Sequence, residues 1–173
     1  PSAPRRAVQE LGDRFAPLRH ALTANVIGED FVAIHMSWGA ISEWLADAAY
    51  DRIGARADHH ELTAVLKRIQ EQKRRHVEFY EAQARARLGG SARARTLTRL
   101  VLSSLWFWHP HGRFTEPRSE TRFVLHHLLA DPDGAALVRD IDARVDTLPG
   151  QRGLGLVSRV LARYGAGPRV VTR

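Results

Sequence analysis

The stretch Ile69-Gln70-Glu71-Gln72-Lys73-Arg74-Arg75-His76-Val77-Glu78-Phe79-Tyr80 lies inside a helical segment predicted from about His60 to Leu88. Leu62, Val65, Leu66 and Ile69 precede it at helical spacing and predict a stripe facing a core. Continued by threes and fours, the stripe runs through Gln72/Lys73, His76, Phe79/Tyr80 and Gln83/Ala84. A cation and an imidazole thus fall where the pattern asks for aliphatic side chains. An unpaired buried charge is costly, so such residues call for a partner or a metal.

The neighbouring segments supply that partner. Asp30 is expected to cap a long helix reaching about Ala55. One side of it carries Phe31, Ile34, Trp38, Ile41, Leu45 and Ala48, and the other Val32, Met36, Gly39, Ala40, Glu43 and Tyr50. A helix apolar on both sides is buried among others. Asp58-x-x-Glu61 reads as a capping box for the next helix, which Gly89-Gly90 ends. The short connection predicts antiparallel packing. Glu43 and His76 then sit near mid-helix at similar heights.

The run resembles the second metal-binding helix of the ferritin-like superfamily, which includes acyl-carrier-protein desaturases, rubrerythrins and ribonucleotide reductase small subunits. Their pattern is Glu-x-x-His followed by aromatics. Arg75-His76 and Phe79-Tyr80 match it, but Lys73 stands at the Glu position. Trp38-Gly39-Ala40-Ile41-Ser42-Glu43 resembles the preceding helix, whose single Glu is a ligand in the family. The resemblance covers roughly residues 30 to 88. It implies an all-α fold with a ferritin-like four-helix-bundle core and additional C-terminal helices. It also implies a homodimer, and Glu43 and His76 as half of an iron or manganese site.

Lys73 changes that expectation. A protonated ammonium cannot ligate iron, and it repels a dication. A complete dimetal carboxylate site also needs a second Glu-x-x-His, and none occurs after Gly89. The expected arrangement is a metal-free core cluster, with Lys73 paired to Glu43 and hydrogen-bonded to Tyr50 or Tyr80. The expected function is a degenerate ferritin-like bundle, structural or binding a small apolar ligand. The alternative is a desaturase- or oxidase-like dimetal oxidoreductase acting on an acyl or other apolar substrate, with ligands from a missing N-terminal part. A basic interaction module is a further alternative. Some ribonucleotide reductase small subunits similarly carry Lys at a lost carboxylate position and work without metal.

The remaining chain reads as helices. Asp13 to about Ile27 forms a first one, bent at Pro17. Ser91 opens another to about Trp108, with Leu97, Leu100, Val101, Ser104, Leu105 and Trp108 inward. A short helix follows Pro117, and Asp131-Pro132 caps the next, whose Val138, Ile141, Val145 and Leu148 form a core stripe. A last helix spans about Gly153 to Tyr164. No strand-like alternation appears, and the 173 residues fit one domain.

Composition narrows the partners. The net charge of +7 suggests nucleic acid, yet only Lys67 and Lys73 are lysines among the 26 basic residues. This arginine bias reads as coding composition, and nucleic acid is not expected as a partner. The cluster Arg85, Arg87, Arg93, Arg95 and Arg99 is expected to be a solvated face. No apolar run approaches the roughly 18 residues of a membrane span. There are no cysteines, which excludes disulfides and zinc-thiolate sites. A bacterial cytoplasm is the expected location. The chain begins at Pro1 with Met36 as its only Met, so either an initiator was removed or an N-terminal part is absent. His109, His111, His126 and His127 with Glu120 form a weaker candidate metal cluster, and Trp106-Phe107-Trp108 is expected to be a packed helix end.

Overall fold

The structure, a computed structural model, describes residues 28–105 and 118–164. The expected first helix, the Trp106-Phe107-Trp108 segment, His109 and His111 lie outside them, as does the Glu120 side chain. The described residues form helices and connections, with no strand. The helices are α1 (Glu29–Ala57), α2 (His60–Gly90), α3 (Ala92–Leu105), α4 (Arg118–Leu129), α5 (Pro132–Asp146) and α6 (Leu156–Tyr164). Among the described residues no helix is long and apolar enough to cross a membrane.

α1 is central because it is apolar on more than one side. It contacts α2, α3, α4 and α5. Ala33, Ala40, Ile41 and Trp44 enter one apolar cluster with Ala84 and Leu88 of α2, Ala94 and Leu102 of α3, and Val145 of α5. Further along, Ala48 enters a second cluster with Leu129, Val138, Ile141, Val157 and Leu161. Trp44, absent from either expected stripe, is only 3% exposed.

α1 and α2 run antiparallel, as their short connection requires. The contacts descend one helix while ascending the other: Gly54 with Thr63, Asp47 with Gln70, Glu43 with Lys73, Gly39 with Tyr80. The connection differs from the capping box expected at Asp58. Asp58 instead ends α1 in the left-handed region at φ 44°, and His59 caps α2, its Nδ1 accepting from the Leu62 N–H at 3.2 Å. Asp30 does not cap α1 either, since Gly28 holds that position. Its carboxylate accepts from the Ser91 hydroxyl and pairs with Arg93, joining the start of α1 to the α2–α3 turn.

Three further expectations agree with the structure. Ser91 accepts from the Ala94 N–H at 3.0 Å and starts α3. Asp131 accepts from the Gly134 N–H at 2.7 Å, with Pro132 in the first turn of α5. Gly134 allows that turn to sit against the preceding helix end, because a Cβ there would lie 2.4 Å from the Leu129 Cα. Val138, Ile141, Val145 and Leu148 are buried as expected. On α3, however, the inward residues are Ala94, Thr98 and Leu102, while Leu100 is 59% exposed and Ser104 is exposed.

The arginines near Gly89-Gly90 are not simply a solvated face. Arg85 donates to the Thr147 carbonyl and hydroxyl, Arg95 to the Leu88 carbonyl, and Arg99 to the carbonyls of Gly150 and Arg152. Arg85 and Arg99 fasten the α5–α6 connection onto α2 and α3, and Arg95 ties the start of α3 to the end of α2. Glu81 anchors the same corner, accepting from Arg85 and Arg144. Part burial would raise its pKa, but these two guanidiniums outweigh that and hold it below the usual value. Arg144 also lies over the Trp44 ring, 4.6 Å from its centroid.

Candidate functional site

Midway along the α1–α2 seam, Lys73 Nζ lies 2.6 Å from Glu43 Oε2. The side chains are 30% and 18% exposed, so the pair is half-buried at the edge of the core. The Lys73 ammonium also lies over the Tyr50 ring, 5.8 Å from its centroid. Its hydrogen bond to Glu43 is the main cause that holds its pKa above the ordinary lysine value. Part burial opposes the rise, and the fields of Glu43, Tyr50 and Asp47 support it.

Around this pair the antiparallel register brings further polar residues that the sequence did not single out. Gln70 Nε2 donates to the carboxylates of Asp47 and Asp51, at 2.9 Å each, and to the Asp47 carbonyl at 3.2 Å. Their signal was present in the spacing, because a Glu43–Lys73 contact in an antiparallel pair brings the next turn of α1 opposite the previous turn of α2. The depression lined by Glu43, Asp47, Tyr50, Gln70, Lys73 and Val77 is too shallow to hold a water-sized ligand.

His76 does not share this place. The inner line of α2 passes from Lys73 to Val77 and Tyr80, then to Ala84 and Leu88, and His76 is exposed beside it. Leu62, Val65 and Phe79 share the outward side, 37%, 41% and 53% exposed. Of the expected stripe, Leu66 and Ile69 therefore face inward while Leu62 and Val65 do not, and beyond Ile69 the inner line follows the four-residue step instead of the three. Tyr80 is also apart from the ion pair. Its ring lies against Gly39, where an added Cβ would come within 2.5 Å, and meets His35 edge-on at 6.4 Å.

These residues do not fit a metal half-site. Glu43 is engaged by an ammonium held in its charged form, which cannot ligate, and His76 is directed elsewhere. Among the described residues no three His, Asp or Glu side chains group to hold an ion. His126 and His127 are exposed on the last turn of α4, and His59 is engaged as a helix cap. Compared with known proteins, the chain matches no family model, no curated protein and no solved structure.

Proposed function

We propose that this chain is a ferritin-like helical scaffold in which an internal ion pair stands where its metal-binding counterparts hold an ion. The observation that carries the reading is the 2.6 Å contact between Lys73 and Glu43. A lysine held in its charged form supplies at that position the positive charge that a metal would otherwise bring. It is neither a nucleophile nor a proton acceptor near neutral pH, so the pair supports packing of α1 on α2 and not chemistry. The four-helix-bundle core is read from the long antiparallel α1–α2 pair, with α3 packed on both. A structural role is favoured over small-ligand binding at this seam, because the depression beside the pair has no volume for one. The proposal includes a homodimer in a bacterial cytoplasm, with Leu62, Val65 and Phe79 on the outward side of α2 as apolar surface for it.

Elemental analysis of the chain purified after iron and manganese supplementation, beside Lys73→Glu, tests this reading. Substoichiometric traces are expected in the unsubstituted chain. Near-stoichiometric iron or manganese there would overturn the proposal and favour the rival reading, a dimetal oxidoreductase. Metal acquired only by Lys73→Glu would identify this residue as the one that closed the site.

A further inference from the structure

A second polar site lies at the C-terminal end of α1, and it does not depend on the Glu43–Lys73 reading. The end of α1, the last turn of α4 and the first turn of α5 converge around an open cleft of about 370 Å³, lined by Arg56, His126, His127, Ala130 and Asp131.

The hydrogen-bond donors around it are unevenly used. Arg52 is consumed: it donates to the Leu128 carbonyl, pairs with Asp131 and lies 3.5 Å from Asp133. The Asp131 carboxylate is consumed too, one oxygen by the Gly134 N–H and the other by the guanidiniums of Arg52 and Arg56. Because Arg52 is shared with Asp133, two guanidiniums here face two carboxylates. Arg56 makes a single hydrogen bond, from Nη2 to Asp131 at 2.7 Å, and its other N–H groups have no partner among the described residues. His127 stacks on Phe123 at 5.8 Å, and neither imidazole has a side-chain hydrogen bond among the described residues.

We propose that this cleft is a phosphate-binding site, with the Arg56 guanidinium on one wall and the His126 and His127 imidazoles on the other. The spare Arg56 N–H groups are donors and each imidazole offers at least one N–H, while the two arginines balance the carboxylates of Asp131 and Asp133, so the free hydrogen-bonding groups suit an oxyanion. Donors on separate walls favour a tetrahedral group over a planar carboxylate. Arg85, Arg95 and Arg99 offer no such site, because each spends its guanidinium on backbone carbonyls.

The test is a titration of the whole chain with inorganic phosphate at pH 6.5, followed by the imidazole nitrogen and carbon NMR signals of His126 and His127. Sodium chloride at matched ionic strength is the reference. Saturable shifts with phosphate are expected, with affinity lowered about tenfold in Arg56→Gln, the loss of one charge-assisted contact. His126→Gln leaves the Arg52–Asp131–Arg56 cluster intact, and it should weaken binding in a chain whose folding is unaffected. A tighter response to glycerol phosphate would identify an ester as the preferred form, and an equal one free phosphate. Shifts that match chloride, or saturation unchanged by both substitutions, would overturn the site. Acetate binding as tightly as phosphate would overturn its assignment to a phosphate group.

Discussion

At the scale of single residues, the clearest lesson is the branch in α2 after Ile69. Helical periodicity lies between three and four, so the apolar stripe could continue through His76 and Phe79 or through Val77 and Tyr80. The adjacent aromatics Phe79 and Tyr80 made both continuations look alike in the sequence. The partner helix decides between them, because Gly39 leaves room for the Tyr80 ring and nothing comparable faces Phe79. Gly39→Ala should therefore destabilise the chain by about 1–3 kcal/mol in a denaturant titration, the usual cost of overpacking. At an unconstrained helix position the same change would stabilise by about 1 kcal/mol, so the sign alone tests the Tyr80 contact. For Lys73→Ala the expected loss is about 1 kcal/mol, because the half-exposed pair lies between surface pairs and fully buried ones. Its pH dependence has a defined sign. The folded-state pKa is raised above 10.5, so the stabilisation is complete below that value and is lost as pH rises through the higher folded value. Between pH 6 and 9 that contribution should be constant, so this residue should add no pH dependence to the measured stability.

At the scale of elements, helix existence and the core stripe of α5 were legible, because Val138, Ile141, Val145 and Leu148 repeat cleanly and Asp131-Pro132 marks the start. The α1–α2 connection was legible only in length. Asp58 and His59 are both plausible caps, and the left-handed turn taken by Asp58 passes the capping role to His59. Arg85 and Arg99 near Gly89-Gly90 were misread, because their acceptors include carbonyls of the α5–α6 connection, more than fifty residues away in sequence. Asp131 joins α5 to α1 through Gly134, Arg52 and Arg56. These contacts, the Gly134 N–H first and Arg52 next, lower its pKa from 3.8 to about 2. A group depressed in this way stabilises above its unfolded value, and the contribution disappears as pH falls from 3.8 towards 2. Asp131→Asn should lower the Tm at pH 7 and flatten the acid limb of the Tm–pH curve over that interval.

At the scale of the molecule, α1 belongs to both apolar clusters, so the two halves of the described structure share one helix. Unfolding should be a single cooperative transition, and Ile41→Ala, at a fully buried site, should cost about 2–5 kcal/mol without splitting it. Two separated transitions would mean that the clusters are independent. The ferritin-like reading itself rests on the meeting of Glu43 and Lys73, and a double-mutant cycle on Glu43→Gln and Lys73→Met measures that meeting directly. The account predicts a favourable coupling of about 1 kcal/mol, with each single substitution costing more than the double one would suggest by addition. A coupling below about 0.3 kcal/mol would mean that the ammonium is effectively solvated, and would contradict an internal cation in the place of a metal.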